Sequence, residues 1–403
     1  MKVLFLVTRL PVPPWRGDQV RAYHHLRQLA PRHDITCCAL VTRPPPDALR
    51  AAVEALGVRL EVVTLGTIGA GPALARALLG DPRPLQVLLY LRQGARRQVA
   101  ELLRTGRFDV VHAQLVRTAP YLPEDDRTPV VLDLIDALSA NLAGRARRER
   151  GPMGPVAAWE ATRLARFERA LIARASRSLV VSARERDALG GGDRIAVVAN
   201  GVDADAFAFR DGPRPAARIV FAGNLGCFPN VDAARWLVAD ILPRIRATLP
   251  EAELHLVGAR PARAVRALVR TPGVTLAAAV PDMAPVLAAA TVALVPMRAG
   301  TGLQNKVLEA MAVGTPVVAT PTVAAALEVN PGTHLMVAGD AAELAAATVA
   351  LLRDPERARA MATAARALVE RRYRWDDSAA GVEAAWEASR AAVPASPCAR
   401  QSV

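Results

Sequence analysis

Lys306 and Glu309 are the two residues whose types and spacing point most directly to chemistry. Lys306 is one of two lysines, beside Lys2, in a chain whose other 49 basic residues are arginine. Glu309 follows it at i+3, on the same face of a helix. Ahead of them stands Gly300-Thr301-Gly302, a loop that can bring backbone N–H groups close to a ligand. A lysine and loop amides can hold a diphosphate. A carboxylate, acceptor-only and two-oxygened, suits the vicinal hydroxyls of a sugar. The competing reading is a surface salt bridge between the two.

These residues need a strand to end before them and a helix to start beneath them. Thr291–Val295 is an apolar β-like run, and a helix is expected from about Leu303 to Val313, closed by Gly314. A glycine loop that opens a helix at a strand's carboxyl end is where α/β sheets hold anions. Arg298 adds a second cation to this loop.

Upstream, Val3–Val7 reads as a buried parallel strand. The loop that follows, TRLPVPPWRGDQ, leads through Gly17 into a helix from about Asp18 to Ala30, with Asp18 a candidate cap. Strands are expected at Ile35–Val41, Arg59–Leu65, Val110–Ala113, Val130–Ile135 and Ser178–Val181, with helices at Asp47–Leu56, Ala73–Leu79, Leu85–Leu103 and Pro155–Arg174. Asp136 ends the run VVLDLID, facing substrate or capping the next turn; His112 reads as structural. Asp203–Ala217 has no clear period and reads as a linker. A second unit opens with Ile219–Ala222, the loop Gly223-Asn224-Leu225-Gly226 and a helix from about Val231 to Ala247. Its further strands are Glu253–Val257, Val274–Ala277, Thr291–Val295 and Pro316–Ala319. After Ala341 the chain reads as helical to about Ala392, interrupted near Tyr373–Asp376, with Asp376 a candidate cap. Strands alternating with helices predict doubly wound parallel sheets.

The length of 403 residues suggests two domains. No apolar run reaches the roughly 18 residues of a membrane span, and no signal peptide is expected ahead of MKVLFLV. Cys37, Cys38, Cys227 and Cys398 show neither metal spacing nor a disulfide framework, so the cytoplasm is the expected compartment. Of the net charge of +13, residues 1–200 carry +11. Such a basic half points to an anionic partner, a membrane surface ahead of nucleic acid, for which no motif appears. A plain solvated arginine-rich surface explains the charge equally well. The run RARRER, Arg145–Arg150, precedes an amphipathic stretch with Trp159, Leu164, Phe167 and Leu171. That stretch lies on a bilayer or packs on its own domain.

The order of VVANGVD (197–203), IVFAGNLGCFPNVDAARWL (219–237), VTLAAAVPDM (274–283) and LVPMRAGTGLQNKVLEAMAVGTPVVAT (294–320) resembles the retaining nucleotide-sugar glycosyltransferases of family four, which have the GT-B fold. The chain is also similar to their exopolysaccharide- and exosortase-associated subgroup. The resemblance implies two Rossmann-like, doubly wound domains facing a cleft. Residues 1–200 would bind the acceptor, 201–217 link, 218–375 bind the nucleotide sugar, 376–392 form a helix crossing back, and 393–403 be a disordered tail. It implies a hexose-type transfer to a hydroxyl of a glycan, lipid-linked in cell-surface polysaccharide synthesis. No cofactor or metal is implied, and the place is the cytoplasm or the inner membrane face. The alternatives are a nucleotide-sugar epimerase, which can share the architecture, and a non-catalytic two-domain sugar-binding protein.

By the same resemblance Glu309 meets ribose hydroxyls, the amides near Gly302 and Leu303 meet the diphosphate, Val280 meets the base, and Gly17 lets its loop approach the phosphates; Gly300 is counted with the donor-binding loop. Three positions depart from the family: Thr301 replaces the first of two glutamates, Asn224 replaces a phosphate-binding arginine, and Asp136 stands where a histidine is frequent. Lys306, with Arg298, would then supply the positive charge, and Lys306 and Asp136 are the candidate catalytic residues.

Overall fold

A computed structural model describes residues 1–392 apart from 68, 124–127, 150, 152, 213, 216, 279 and 301. The expected tail at 393–403 lies outside the described residues. The chain divides into two compact units, Met1–Val198 with the residues from Ala379 onward, and Ala199–Ser378.

The first unit holds seven strands: β1 (Lys2–Val7), β2 (Asp34–Val41), β3 (Arg59–Thr64), β4 (Val110–Gln114), β5 (Val130–Ile135), β6 (Arg177–Val180) and β7 (Ile195–Val197). They form one parallel sheet in the order β3-β2-β1-β4-β5-β6-β7. Its strands are continuous apolar runs because both faces are covered. Leu4, Leu6, Val111 and Leu132 pack on one face, while Val3, Phe5, Val110 and Val131 pack on the other. Cys37 and Cys38 point to opposite faces of β2, both buried; burial pushes the Cys37 thiol up to about 12, so both are inert packing groups. Trp386, from the helix Trp375–Ala391, is fully buried in the second of these clusters.

The second unit holds β8 (Arg218–Ala222), β9 (Glu253–Val257), β10 (Val274–Ala277), β11 (Val292–Val295), β12 (Val317–Ala319) and β13 (Met336–Val337), parallel in the order β10-β9-β8-β11-β12-β13. Each sheet changes direction beside its first strand, so the strand-end loops next to β1 and β8 border a crevice of their own unit.

Several elements differ from expectation. β7 and β13 were not anticipated; three and two residues are too short for a readable period. The helix expected at Leu85–Leu103 is two, Leu85–Leu88 and Gln93–Gly106, because Arg92 is extended. The first four residues of RARRER, 145–148, end an unanticipated helix, Leu138–Arg148. The helix after β8 starts at Phe228 rather than Val231, with Pro229 in its first turn, where proline's missing N–H costs nothing. The terminal helical stretch breaks at Asp354, whose carboxylate accepts from Arg357 N–H at 2.9 Å and caps the next helix. Asp18 and Asp376 do not cap. The first helix runs Gly17–Leu29 with Arg16 at its N-cap, and Asp18 binds Arg9. Asp376 sits in a first turn and accepts from Arg374 at 3.1 Å.

Candidate active site

In the second unit, β8 and β11 are neighbours, so the loops that leave their carboxyl ends meet. The chain leaves β8 through Gly223, at φ +148°, and then enters the helix Phe228–Trp236. It leaves β11 through Arg298–Gln304 and enters the helix Asn305–Ala312. That helix starts two residues later than expected. Leu303, buried, therefore belongs to the loop, and Asn305 and Lys306 are the first helical residues, whose N–H groups have no intrahelical acceptor.

Lys306 reaches across to the other loop. Its Nζ donates to Asn230 Oδ1 at 2.5 Å and lies 4.7 Å from the centre of the Phe221 ring. A Cβ at position 223 would stand 2.8 Å from that Nζ and 3.2 Å from Asn230 Nδ2, so a side chain there would displace the lysine from its seat. Asn230 is itself fixed by donating to the Asn224 carbonyl at 2.9 Å. Burial pushes the Lys306 ammonium down to about 7, against the pull of Glu309. Glu309 is half-buried. Burial pushes its carboxyl up to about 7, with Lys306 opposing. The surface salt bridge does not form: Lys306 turns to Asn230, and among the described residues the Glu309 carboxylate has no hydrogen-bond partner.

Arg298 is placed differently from Lys306. Its guanidinium grips Asp232 with two hydrogen bonds, at 2.6 and 3.1 Å, and lies 4.5 Å from the Trp236 ring centre. Its charge is already compensated. Asn224 Oδ1 accepts from the Gly226 N–H at 3.1 Å, so that side chain shapes its own loop. Gly300 has φ +93° with nothing closer than 3.7 Å to a built Cβ; the left-handed backbone is what requires glycine there. Gly302 is buried, and its carbonyl accepts from the Gln304 side chain at 3.0 Å. Val280, half-buried, follows β10. Thr301 lies outside the described residues.

Gly17 and Asp136 belong to the first unit. Gly17 opens its helix, and a Cβ there would meet nothing within 4 Å. Asp136 follows β5 directly after Ile135, which holds a left-handed φ of +65°. The Asp136 side chain has no hydrogen bond among the described residues. Burial, then the nearby Glu185, push its carboxyl up to about 7. Two other buried carboxylates hold the turn around it. Glu185 accepts from Ala137 N–H at 2.5 Å, and Glu168 accepts from Ser139 N–H at 3.2 Å and its hydroxyl at 2.5 Å.

Beneath this turn lies a fully buried polar network. Arg21 donates to Asp133 at 2.7 Å and to the Val198 carbonyl at 2.9 Å. Trp386 donates its indole N–H to His112 Nδ1 at 3.1 Å. This fixes the proton of neutral His112 on Nε2, 3.6 Å from Asp133. Burial raises the Asp133 carboxyl, but Arg21 and then His112 outweigh it and hold it well below the usual range. His25, His112 and Asp133 approach the spacing of a metal site, with ligand atoms within 4.8 Å. A guanidinium already sits on the carboxylate that a metal would need.

Asn230 and Arg21 were not singled out from the sequence, and Gly223 was read only as part of a glycine loop. Asn230 had only the signal of a helix start in PNVD, and its hydrogen bond to Lys306 spans 76 positions.

Residues 15–206 match the model of Glycosyltransferase Family 4, and residues 216–354 match that of Glycosyl transferases group 1. The chain carries glycosyltransferase family 4 and group 1 domains. No curated protein sequence matches. Among solved structures, the glycosyltransferase-bearing chain is similar to Anabaena Alr3699/HepE in complex with UDP and glucose, at 17% identity and TM-score 0.65, covering 96% of this chain and 99% of that one. It is similar to sucrose-phosphate synthase from Thermosynechococcus elongatus at 18% identity and TM-score 0.71, covering 96% and 98%. WaaG, a glycosyltransferase involved in lipopolysaccharide biosynthesis, aligns at 16% identity and TM-score 0.64 over 95% and 98%. At such identities the likeness shows the fold, two Rossmann-like domains of the GT-B class. No helix among the described residues is long and apolar enough to cross a membrane.

Proposed function

We propose that this glycosyltransferase is a retaining enzyme that moves a hexose-type sugar from a nucleotide diphosphate sugar to a hydroxyl of a lipid-linked glycan in cell-surface polysaccharide synthesis. The observation that carries the reading is Lys306, whose Nζ is seated on Asn230 at 2.5 Å with no carboxylate hydrogen-bonded or ion-paired to it among the described residues. A half-buried cation of this kind is matched to a leaving diphosphate, which gains negative charge as the glycosidic bond breaks. Preorganised charge then stabilises the transition state without reorganisation. The Asn305 and Lys306 N–H groups add their share at the helix start.

Glu309 is the acceptor for the ribose diol. Its unpartnered carboxylate stands one helical turn from the lysine, so diphosphate and ribose fit as neighbours. The acceptor hydroxyl's proton passes to the departing diphosphate. Asp136, with a carboxyl near neutrality, orients the acceptor hydroxyl by hydrogen bonding. Protein cations supply the neutralising charge, so no metal is required by this scheme. The UDP and glucose bound by Alr3699/HepE support a nucleotide-sugar donor here, and WaaG's part in lipopolysaccharide synthesis supports a surface-glycan acceptor.

Thermal unfolding in a panel of nucleotide sugars tests this. A ligand at 100 times its Kd adds about 2.7 kcal/mol, so the true donor stands out, and Lys306→Ala abolishes its effect. A panel with no stabilising member, or release of an epimerised sugar nucleotide without any acceptor, overturns the reading.

A further inference from the structure

The first unit carries a surface that the transferase chemistry does not use. The helices Leu138–Arg148 and Met153–Arg174 flank an open groove of about 920 Å³. Ala143 and Ala158 form part of its lining, and Arg147, Arg166 and Arg169 stand in it with Glu149. Glu149 is consumed by Arg145, which binds it at 2.6 Å. The three groove arginines have no ion pair or hydrogen bond among the described residues. The groove is thus cationic and uncompensated.

Beside it the same helix exposes large apolar groups. Met153, Val156 and Trp159 are 50%, 42% and 38% exposed. Arg163 stacks on Trp159 at 4.5 Å and donates to the Asp81 carbonyl at 2.5 Å. This brings the turn that follows the helix Ala70–Leu78 alongside, where Leu78 and Leu79 are 74% and 87% exposed. Bare apolar side chains next to unpaired arginines fit neither a solvated surface nor a nucleic acid, which would take the charges and leave the leucines in water.

We propose that this surface docks the enzyme on a bilayer of anionic phospholipid, with lipid phosphates seated in the arginine groove and Trp159, Val156, Leu78 and Leu79 at the acyl boundary. Charge complementarity selects the occupant, and the apolar flank selects a lipid over a free phosphate. The inference does not depend on the sugar-transfer reading and is tested without turnover.

The test is co-sedimentation of the full chain with phosphatidylglycerol-containing vesicles and with neutral phosphatidylcholine vesicles, at about 0.05 M and 0.5 M salt, where the Debye length falls from roughly 14 to 4 Å. Wild type should pellet only with anionic vesicles at low salt. The triple variant Arg147→Gln, Arg166→Gln, Arg169→Gln should bind at least tenfold more weakly, by order of magnitude. A charge-matched control, Arg43→Gln, Arg97→Gln, Arg107→Gln, should lose less than about threefold. Trp159 emission, read as the difference from Trp159→Phe, should shift to the blue on anionic vesicles. Equal losses in the two triple variants, unchanged Trp159 emission, or binding of inorganic phosphate without vesicle binding would overturn the proposal. So would a concentration-dependent dimer that the groove variant abolishes. Circular dichroism of each variant confirms the fold.

Discussion

The two units each set a cation against their sheet and treat it in opposite ways. In the first, the helix after β1 sends Arg21 under the sheet's central strands, where Asp133 neutralises it at 2.7 Å and the Val198 carbonyl takes a second donor. In the second, the helix after β8 sends Asn230 toward the loop after β11, where it holds Lys306 without neutralising it. A buried cation met by a carboxylate is a structural element. One seated on an amide oxygen stays available to an anionic ligand. Arg298 repeats the lesson within the second unit: clasped by Asp232, it is held in a closed pair, while Lys306, eight residues further along the chain, has no carboxylate bonded to it among the described residues.

The largest expected effect lies in the closed network. Arg21→Met leaves the Asp133 carboxylate in the core without its guanidinium and with only the more distant His112 ring facing it, which costs about 3–5 kcal/mol. Urea denaturation of the variant should show it. The companion Arg21→Met, Asp133→Leu, which removes both charges, should recover much of the loss. A loss under about 1 kcal/mol in the single variant would break the contrast, because Arg21 would then not be a closed structural pair.

Lys306→Ala should do the reverse, leaving the fold intact and lowering kcat by about 10²–10³. Steady-state rates with the donor identified by thermal shift measure it. Activity within about threefold of wild type would make Lys306 another structural cation. Trp386→Phe sharpens the first half of the comparison. It removes the donor to His112 and leaves a buried acceptor unmet, for about 1–3 kcal/mol, again read from urea denaturation.

How much of this was legible follows the range of the interactions. The strands of both sheets announce themselves as apolar runs, since a sheet covered on both faces needs them locally. The Gly300–Gly302 loop, Lys306 and Glu309 were legible because loop, helix start and charge lie within ten residues. Asn230 was not, nor was the Arg21–Asp133–His112–Trp386 network, whose members are separated by 112 and 274 positions. The helix Leu138–Arg148 was hidden for another reason: its first amides are capped by Glu168 and Glu185 from elsewhere in the fold, so no local capping residue marks its start.

The smallest effect is the most specific to an open site. Glu309 is pushed up to about 7 by burial from an ordinary value of 4.5. Its folded form therefore holds a proton that the unfolded chain releases between those pH values. The stability it contributes is complete below pH 4.5 and is lost as pH rises to 7. Lys306 is pushed down from 10.5 to about 7. Below 7 the folded state carries an ammonium that burial disfavours, and as pH rises from 7 toward 10.5 that penalty is relieved. Together they make a shallow stability minimum near pH 7. The Glu309 limb corresponds to about 3 kcal/mol when fully expressed, and about half of that for a half-buried carboxyl screened by solvent. Glu309→Gln should flatten the fall between pH 4.5 and 7 and leave the rise above 7 in place, as read by thermal unfolding across pH. A saturating nucleoside diphosphate should remove the rise instead, since an anion on Lys306 restores its ammonium. Identical pH profiles for wild type and Glu309→Gln would mean that the carboxylate is solvated, and the second unit's site would then be reduced to its lysine.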